Sequence, residues 1–380
     1  MERFDVIVVG AGPAGSTTAY RLARGGARVV LLDRARFPRD KPCGGGLTYR
    51  AVRQMPVAPD PVVEHVVDRF SLRFRYRGGF ERQSEQPLVL MTQRKRLDAF
   101  LAEGAADAGA QFRDGTKVDA FEQNGHVTVR AGGERIQADV LIGADGVNGI
   151  VARTLGLDQT RRFGVALEGN VAYTDELWNR FSGRAFVEMG SLTGGYGWVF
   201  PKGDHVNVGV GGWEVEATKL RLLLQRLCAA HGIREEAVED LRGFRLPMRL
   251  PGSRFARGRT LLVGDAAALV DPLSGDGMYE AFVSGRLAAE ATLGLLGGRE
   301  SDLEHYPTAL EAELARTLAA SWKVKRAFDR FPRTTFSVAR LPVVWTVFAA
   351  FVRGDLHEPG DARGVVRAPL RLVDALSRLS

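Results

Sequence analysis

The 380-residue sequence predicts an α/β fold, α+β when the whole chain is counted. A Rossmann-like domain, a β-sheet domain and a helical C-terminal part are expected. Three observations predict this. A strand–helix–strand unit opens the chain within about thirty residues. A second buried strand that feeds a helix, "GRTLLVGDAA", does not come until Gly258. Between them, residues 160 to 250 read as β-rich with one helix, "EATKLRLLLQRLCAAHG". The Rossmann-like domain is therefore expected to be discontinuous, over 1–70, 92–155 and 255–330. The sheet domain is expected at 71–91 and 156–254, and the helical region at 331–380.

Each element has a local reason. "FDVIVVG" is a short β-branched run ending at Gly10, a buried parallel strand. "PAGSTTAYRLARGG" is a helix closed by glycine, and "ARVVLLDR" a second buried strand. "FSLRFRYRGGF" alternates like one half-exposed strand. "RKRLDAFLAEGAADAG" is a helix. "TKVDAFEQNGHVTVRAGGERIQADVLIGADG" is a three-stranded meander, turning at Asn124-Gly125 and Gly132-Gly133, that runs into a buried strand. From about residue 278 the chain is mostly helical. "LPVVWTVFAAFV", Leu341 to Val352, is apolar all round and too short for a membrane span, so burial is expected. "VRAPLRLVDALSRLS" puts Leu372, Val373, Leu376 and Leu379 on one helical stripe, with Arg371 and Arg378 elsewhere. That stripe suits either the protein's own core or a membrane surface.

Composition narrows the function. At 45% hydrophobic and 26% charged residues, the chain is an ordinary globular one. Of its 52 basic residues 45 are arginine, and no basic cluster alternates with aromatics, which argues against nucleic-acid binding. Two cysteines, Cys43 and Cys228, make no disulfide framework and fit a reducing compartment. The N-terminus lacks a basic-then-apolar leader, so the reading is cytoplasmic, with peripheral membrane contact as an option. None of the six histidines has metal-ligand spacing, and no metal site is expected.

The motifs point to a dinucleotide. Gly10, Gly12 and Gly15 stand in G-x-G-x-x-G spacing between a strand and a helix. Gly10 permits the tight turn, Gly12 lets a pyrophosphate reach the backbone, and Gly15 lets helix and strand pack closely. The helix N-terminus favours phosphate charge. Asp33, at the end of the second strand, suits a ribose hydroxyl pair. Two later segments favour FAD over NAD. "VLIGADGVNG" places Asp145-Gly146 after a strand. "TLLVGDAAALVDPLSGDGMYEAFVSG" places Asp265 after another, where a carboxylate can hold a polyol chain and the Gly277 and Met278 N–H groups can face an electron-poor ring carbonyl.

Two further stretches are unusual. "KPCGGGL" sets Cys43 against three glycines, which are costly to order. In "YGWVFP" a strand would put Tyr196, Trp198 and Phe200 on one face. "HVNVGVG" returns after a turn, and Gly209 and Gly211 leave it flat, suggesting close approach of something planar or long. The aromatic row fits a core and, more readily, the lining for an apolar chain.

Taken together, the glycine fingerprint, the Asp145-Gly146 segment and the Asp265 segment resemble the FAD domain of the p-hydroxybenzoate hydroxylase-like flavoproteins. "KPCGGGL" and "GYGWVFPKGDHVNVGVG" resemble the geranylgeranyl reductase family within that superfamily. The family signature P-x-x-Y-x-W-x-F-P is matched at Tyr196, Trp198, Phe200 and Pro201, with Thr193 in place of the first proline. The resemblance implies a Rossmann-like FAD domain of the p-hydroxybenzoate hydroxylase and glutathione reductase type. By position it implies FAD contacts at Gly10, Gly12, Ala14, Gly15, Asp33, Cys43, Gly44, Gly46, Arg94, Val118, Asp265, Gly277 and Met278.

It also implies reduction of carbon–carbon double bonds in an apolar, isoprenoid-type or lipid substrate. The electron donor would be NAD(P)H, ferredoxin or a quinol, since no second dinucleotide unit is present. An aromatic hydroxylase or halogenase on the same fold is the competing reading. A halogenase is expected to carry a lysine near the flavin, and Lys41 is the only one nearby in sequence. Hydride addition to an unactivated alkene needs a proton donor on the far carbon and a dry, aligned pocket. Cys43 is a candidate for that catalytic role, for a flavin contact, or for packing alone.

Overall fold

The computed structural model describes residues 1–157, 161–250, 252–356, 375, 376 and 378. The C-terminal stripe expected at Leu372, Val373 and Leu379 lies outside these residues.

The strand Val6–Val9 is fully buried and pairs in parallel with Val29–Leu32 on one side and Val140–Gly143 on the other. Thr260–Leu262 continues the sheet beside Val140–Gly143, and Gln111–Arg113 closes the far edge. A six-stranded sheet is thus gathered from segments between Val6 and Leu262, with Ala256–Arg257 as its one antiparallel strand. Runs of Val, Leu and Ile form it because both faces are covered. The helix Pro13–Arg24 packs on the helix Met278–Leu296, where Thr18 donates to the Gly285 carbonyl at 3.2 Å. The expected meander is a four-stranded sheet, in which Glu2–Arg3 joins Glu134–Ala138, His126–Ala131 and Val118–Asn124.

A second large sheet has seven strands, in the order Glu239–Arg249, Arg161–Ala172, His205–Trp213, Tyr196–Pro201, Arg184–Met189, Arg69–Phe74 and Gly79–Gln83. One face packs on the amphipathic helix Leu220–Ala230 through Val171, Val199, Val206, Val208, Leu223 and Leu227. Cys228 belongs to this core, and burial pushes its thiol up to about 11. The opposite face carries Ala166, Glu168 and Asn170, then Asn207, Gly209 and Gly211, then Tyr196, Trp198 and Phe200, as the strand register requires.

Three expectations are corrected. "FSLRFRYRGGF" is a hairpin rather than one strand. Arg75 and Tyr76 adopt positive φ of 54° and 57° there, and the chain reverses before Gly79–Gln83 pairs back on Arg69–Phe74. The β-rich middle holds a second helix, Asp175–Phe181, capped by Thr174, whose hydroxyl accepts the Leu177 N–H at 3.3 Å. The helix Pro342–Arg353 buries Val347, Ala349 and Val352 but leaves Phe348 40% exposed, and Leu341, which caps it, is 43% exposed. It is packed on one side only, not buried all round. Among the described residues no single helix is long and apolar enough to cross a membrane. The pair Pro332–Ala339 and Pro342–Arg353, bent by 83°, reaches that length and composition together.

Candidate active site

The glycine turn is built as its spacing demands. Gly10 has φ +102°, and a Cβ there would lie 2.2 Å from the Ala144 carbonyl oxygen. A Cβ on Gly15 would fall 1.8 Å from the Gly10 oxygen, so neither position tolerates a side chain. Gly12 differs. A Cβ there would meet only guanidinium nitrogens, Arg39 at 3.7 Å and Arg94 at 3.9 Å. Two cations therefore flank bare backbone at the start of the helix Pro13–Arg24, whose free N–H groups add partial positive charge. This cradle fits a pyrophosphate. Ala14 is buried and packs beneath Gly264.

Asp98 organises those cations. It is fully buried and accepts two bonds from Arg94, both 2.7 Å, while Arg39 lies 2.8 Å from its Oδ2. Burial works against the Arg94 charge, but Asp98 outweighs it and holds the guanidinium protonated well above its ordinary range. Asp33 braces the turn, accepting the Ala11 N–H at 2.8 Å and the Ala35 N–H at 2.9 Å. Thr116 N–H donates to the Asp33 carbonyl at 2.7 Å, which brings the start of the Val118 strand alongside. Val118 itself is buried in the core. Arg39 and Asp98 were not singled out from the sequence. Their signal is weak, because each gains meaning only when the loop 34–45 folds over the helix Arg94–Asp107.

The third segment arrives from the other side. Asp265 pairs with Lys41 at 2.9 Å, and although burial raises its pKa, Lys41 and Arg94 hold the carboxyl below its usual range. Gly277 caps the helix Met278–Leu296. The Met278 N–H, expected to face a ring carbonyl, donates to Asp276 Oδ1 at 2.9 Å.

Between these segments lies the loop of Cys43 to Gly46. A Cβ on Gly44 would stand 3.1 Å from the Phe200 ring and 3.6 Å from Trp198 Nε1. Gly45 has φ +75°, and a Cβ there would overlap Lys202 Nζ at 1.7 Å. Glycine at 44 and 45 thus lets the loop lie flat against the sheet. Lys202 also lies against this loop, so the expectation that Lys41 is the only nearby lysine is corrected. Lys202 Nζ is buried and donates to the Thr92 carbonyl at 2.8 Å. Cys43 is half-buried; its Sγ accepts the Gly45 N–H at 3.4 Å, and its own N–H donates to Glu168 Oε1 at 2.7 Å.

The aromatic row is fixed member by member. Tyr196 donates its hydroxyl to the Ser274 carbonyl, tying the sheet to the third segment. Trp198 Nε1 donates to Asn207 Oδ1 at 2.7 Å. Phe200 covers Gly44. The glycine strand opposite is not left open for a ligand, as the sequence suggested: a Cβ on Gly209 would lie 2.1 Å from Trp198 Cζ2. The planar group that approaches Gly209 is the protein's own indole. Sequence reasoning also missed Glu168 and Asn207, although a lone Glu in the inward phase of the apolar strand "VALEGNVAY" was a readable signal.

Comparison with known proteins agrees with this architecture. The family described as FAD binding domain matches residues 3–283. The menaquinone reductase of Mycolicibacterium smegmatis is 34% identical, with 96% of this chain and 95% of that protein covered. The geranylgeranyl diphosphate reductase of Rhodobacter capsulatus is 32% identical, over 80% and 78% of the two chains. Among solved structures, a geranylgeranyl bacteriochlorophyll reductase-like protein from Thermoplasma acidophilum superposes with TM-score 0.80 at 23% identity, covering 98% and 100%. A flavin-dependent brominase also gives TM-score 0.80, at 18% identity and full coverage of both chains, so the fold alone does not choose the chemistry. The cation-flanked glycine turn, the three ordered FAD segments and the full-length relatives place this chain in the FAD binding domain family, as a member of the geranylgeranyl reductase group of FAD-dependent oxidoreductases.

Proposed function

We propose that the protein reduces carbon–carbon double bonds in an apolar, isoprenoid-type chain. The observation that carries this is the row of Tyr196, Trp198 and Phe200 closing on the bare Cys43–Gly46 loop. It sets three aromatic side chains on one sheet face beside the segments expected to hold FAD, the kind of lining a prenyl chain requires. The names of the relatives, a menaquinone reductase and a geranylgeranyl diphosphate reductase, support the same substrate class.

Reduced FAD supplies a hydride with its electron pair when bound. The chain's residues would do the rest. Gly12, Arg39 and Arg94 would hold the pyrophosphate, Asp33 the ribose and Asp265 the polyol. Tyr196, Trp198 and Phe200 would align the alkene and exclude water, which a weak acceptor needs. The exposed apolar residues Leu341, in the break of the bent pair Pro332–Ala339 and Pro342–Arg353, and Phe348, on its second helix, suit a lipid surface that delivers such a substrate.

The test is anaerobic. Dithionite-reduced protein mixed with a geranylgeranyl compound or a prenylated quinone should regain the oxidised flavin spectrum without oxygen. Reoxidation only by oxygen, stimulated by a phenol, would assign the protein to the hydroxylases instead.

A further inference from the structure

Two carboxylates are buried in the seven-stranded sheet. Glu188 lies on the face of the Leu220–Ala230 helix, where Arg73 is 3.9 Å away. Glu168 lies on the other face. It stands opposite Gly209, and Gly209 stands opposite Trp198, so only a glycine separates the carboxyl from the aromatic row. It is 5% exposed. Its Oε1 accepts the Cys43 N–H, while Oε2 is enclosed and makes no hydrogen bond. Among the described residues no arginine or lysine reaches ion-pair distance of it. A buried carboxyl with one amide and no cation favours its neutral form. Burial pushes it up to about 7, against pulls from the Cys43 amide, Lys202 and Asn207.

Three other proton-bearing groups around the loop are committed, which leaves the Cys43 thiol as the rival donor. The Tyr196 proton is given to the Ser274 carbonyl, and burial holds the phenol well above its ordinary range. Asp265 is kept ionised by Lys41. Lys202 is spent on Thr92.

We infer that Glu168 is the general acid of alkene reduction, delivering the proton on Oε2 to the alkene carbon that does not receive the hydride. This rests on the reductase reading. The alkene π bond and the Glu168 O–H bond break. One C–H bond would form with the hydride and electron pair that reduced FAD gives up as its N5–H bond breaks and it is oxidised, the other with the Glu168 proton. Glu168 is left as a carboxylate, stabilised by the Cys43 N–H and by Lys202, until a solvent proton replaces the one lost.

Glu168→Gln keeps an acceptor for the Cys43 N–H and removes only the acid. The variant should bind FAD at wild-type stoichiometry and be reduced normally by dithionite. Its anaerobic reoxidation by alkene should be slower by about 10²–10⁴-fold. The wild-type rate should fall as pH rises through about 7, a limb absent from Glu168→Gln and kept, at lower rate, by Glu168→Asp. A second readout needs no turnover. Only the wild type must hold a carboxyl neutral in the folded state and release its proton on unfolding. The melting temperature of FAD-loaded Glu168→Gln should therefore gain on the wild type as pH rises from about 4.5 to about 7, then stay level. A Glu168→Gln rate equal to wild type, or a melting gap independent of pH, overturns the assignment. Should Glu168→Gln fail to fold, the wild-type pH limb and Glu168→Asp decide it. A wild type that reduces no alkene overturns the reductase reading itself, a failure the melting series does not share.

Discussion

At the glycine-turn end of the site, Asp98 is fully buried yet meets two guanidiniums, and Asp33 meets two backbone amides. At the sheet end, Glu168 is also buried but meets one amide and, among the described residues, no cation at ion-pair distance. The first arrangement is fixed charge. Asp98 is matched by Arg94 and Arg39, and the Arg94 guanidinium is held protonated above its ordinary range, the fixed positive charge that a phosphate cradle calls for. The second keeps a proton close to release, as chemistry on an alkene needs and a phosphate cradle does not. One site thus uses burial twice, with opposite outcomes decided by partners.

The largest expected effect breaks the fixed-charge end. Asp98→Ala leaves Arg94 and Arg39 without their shared carboxylate, and breaking such a buried pair costs about 3–5 kcal/mol. Urea unfolding should show that loss, together with loss of bound FAD. A change below about 1 kcal/mol would mean the two guanidiniums are not held by Asp98.

How much of this was legible without coordinates follows from the kind of constraint involved. Gly10, Gly15 and Gly44 were readable because they are backbone requirements, written at the position where they act. The aromatic row was readable from strand alternation alone. Arg39, Asp98, Lys202 and Asn207 were not, because each takes its role from a partner distant in sequence. Arg39 meets Asp98 only after the loop crosses a helix. Gly209 was legible as a flat spot but not as the seat of Trp198, since its occupant lies on the neighbouring strand. The helix Pro342–Arg353 misled because its composition is apolar throughout while its packing is one-sided.

The sheet end can be strained more gently. Gly209→Ala sets a methyl where the Trp198 ring now lies, and such overpacking costs about 1–3 kcal/mol. The indole must move and loses its bond to Asn207. FAD content should be unchanged while alkene-dependent reoxidation falls. Equal loss of both would place Trp198 among the cofactor contacts instead. The smallest effect is expected at Cys43. Its thiol accepts one long bond, from Gly45, and a serine hydroxyl can do the same. With the proton coming from Glu168, Cys43→Ser should stay within about tenfold of wild type, short of the ~10²–10⁴ that a general acid contributes. A loss on that larger scale would move the proton donor from Glu168 to Cys43.

The most direct measurement is the mass of the product from a single anaerobic turnover. Dithionite-reduced protein is mixed with a geranylgeranyl compound and the chain is extracted once the flavin has reoxidised. Alkene reduction requires a product heavier by two hydrogen atoms for each flavin oxidised. An unchanged chain, with a phenol gaining one oxygen atom when oxygen and NAD(P)H are supplied, would contradict it.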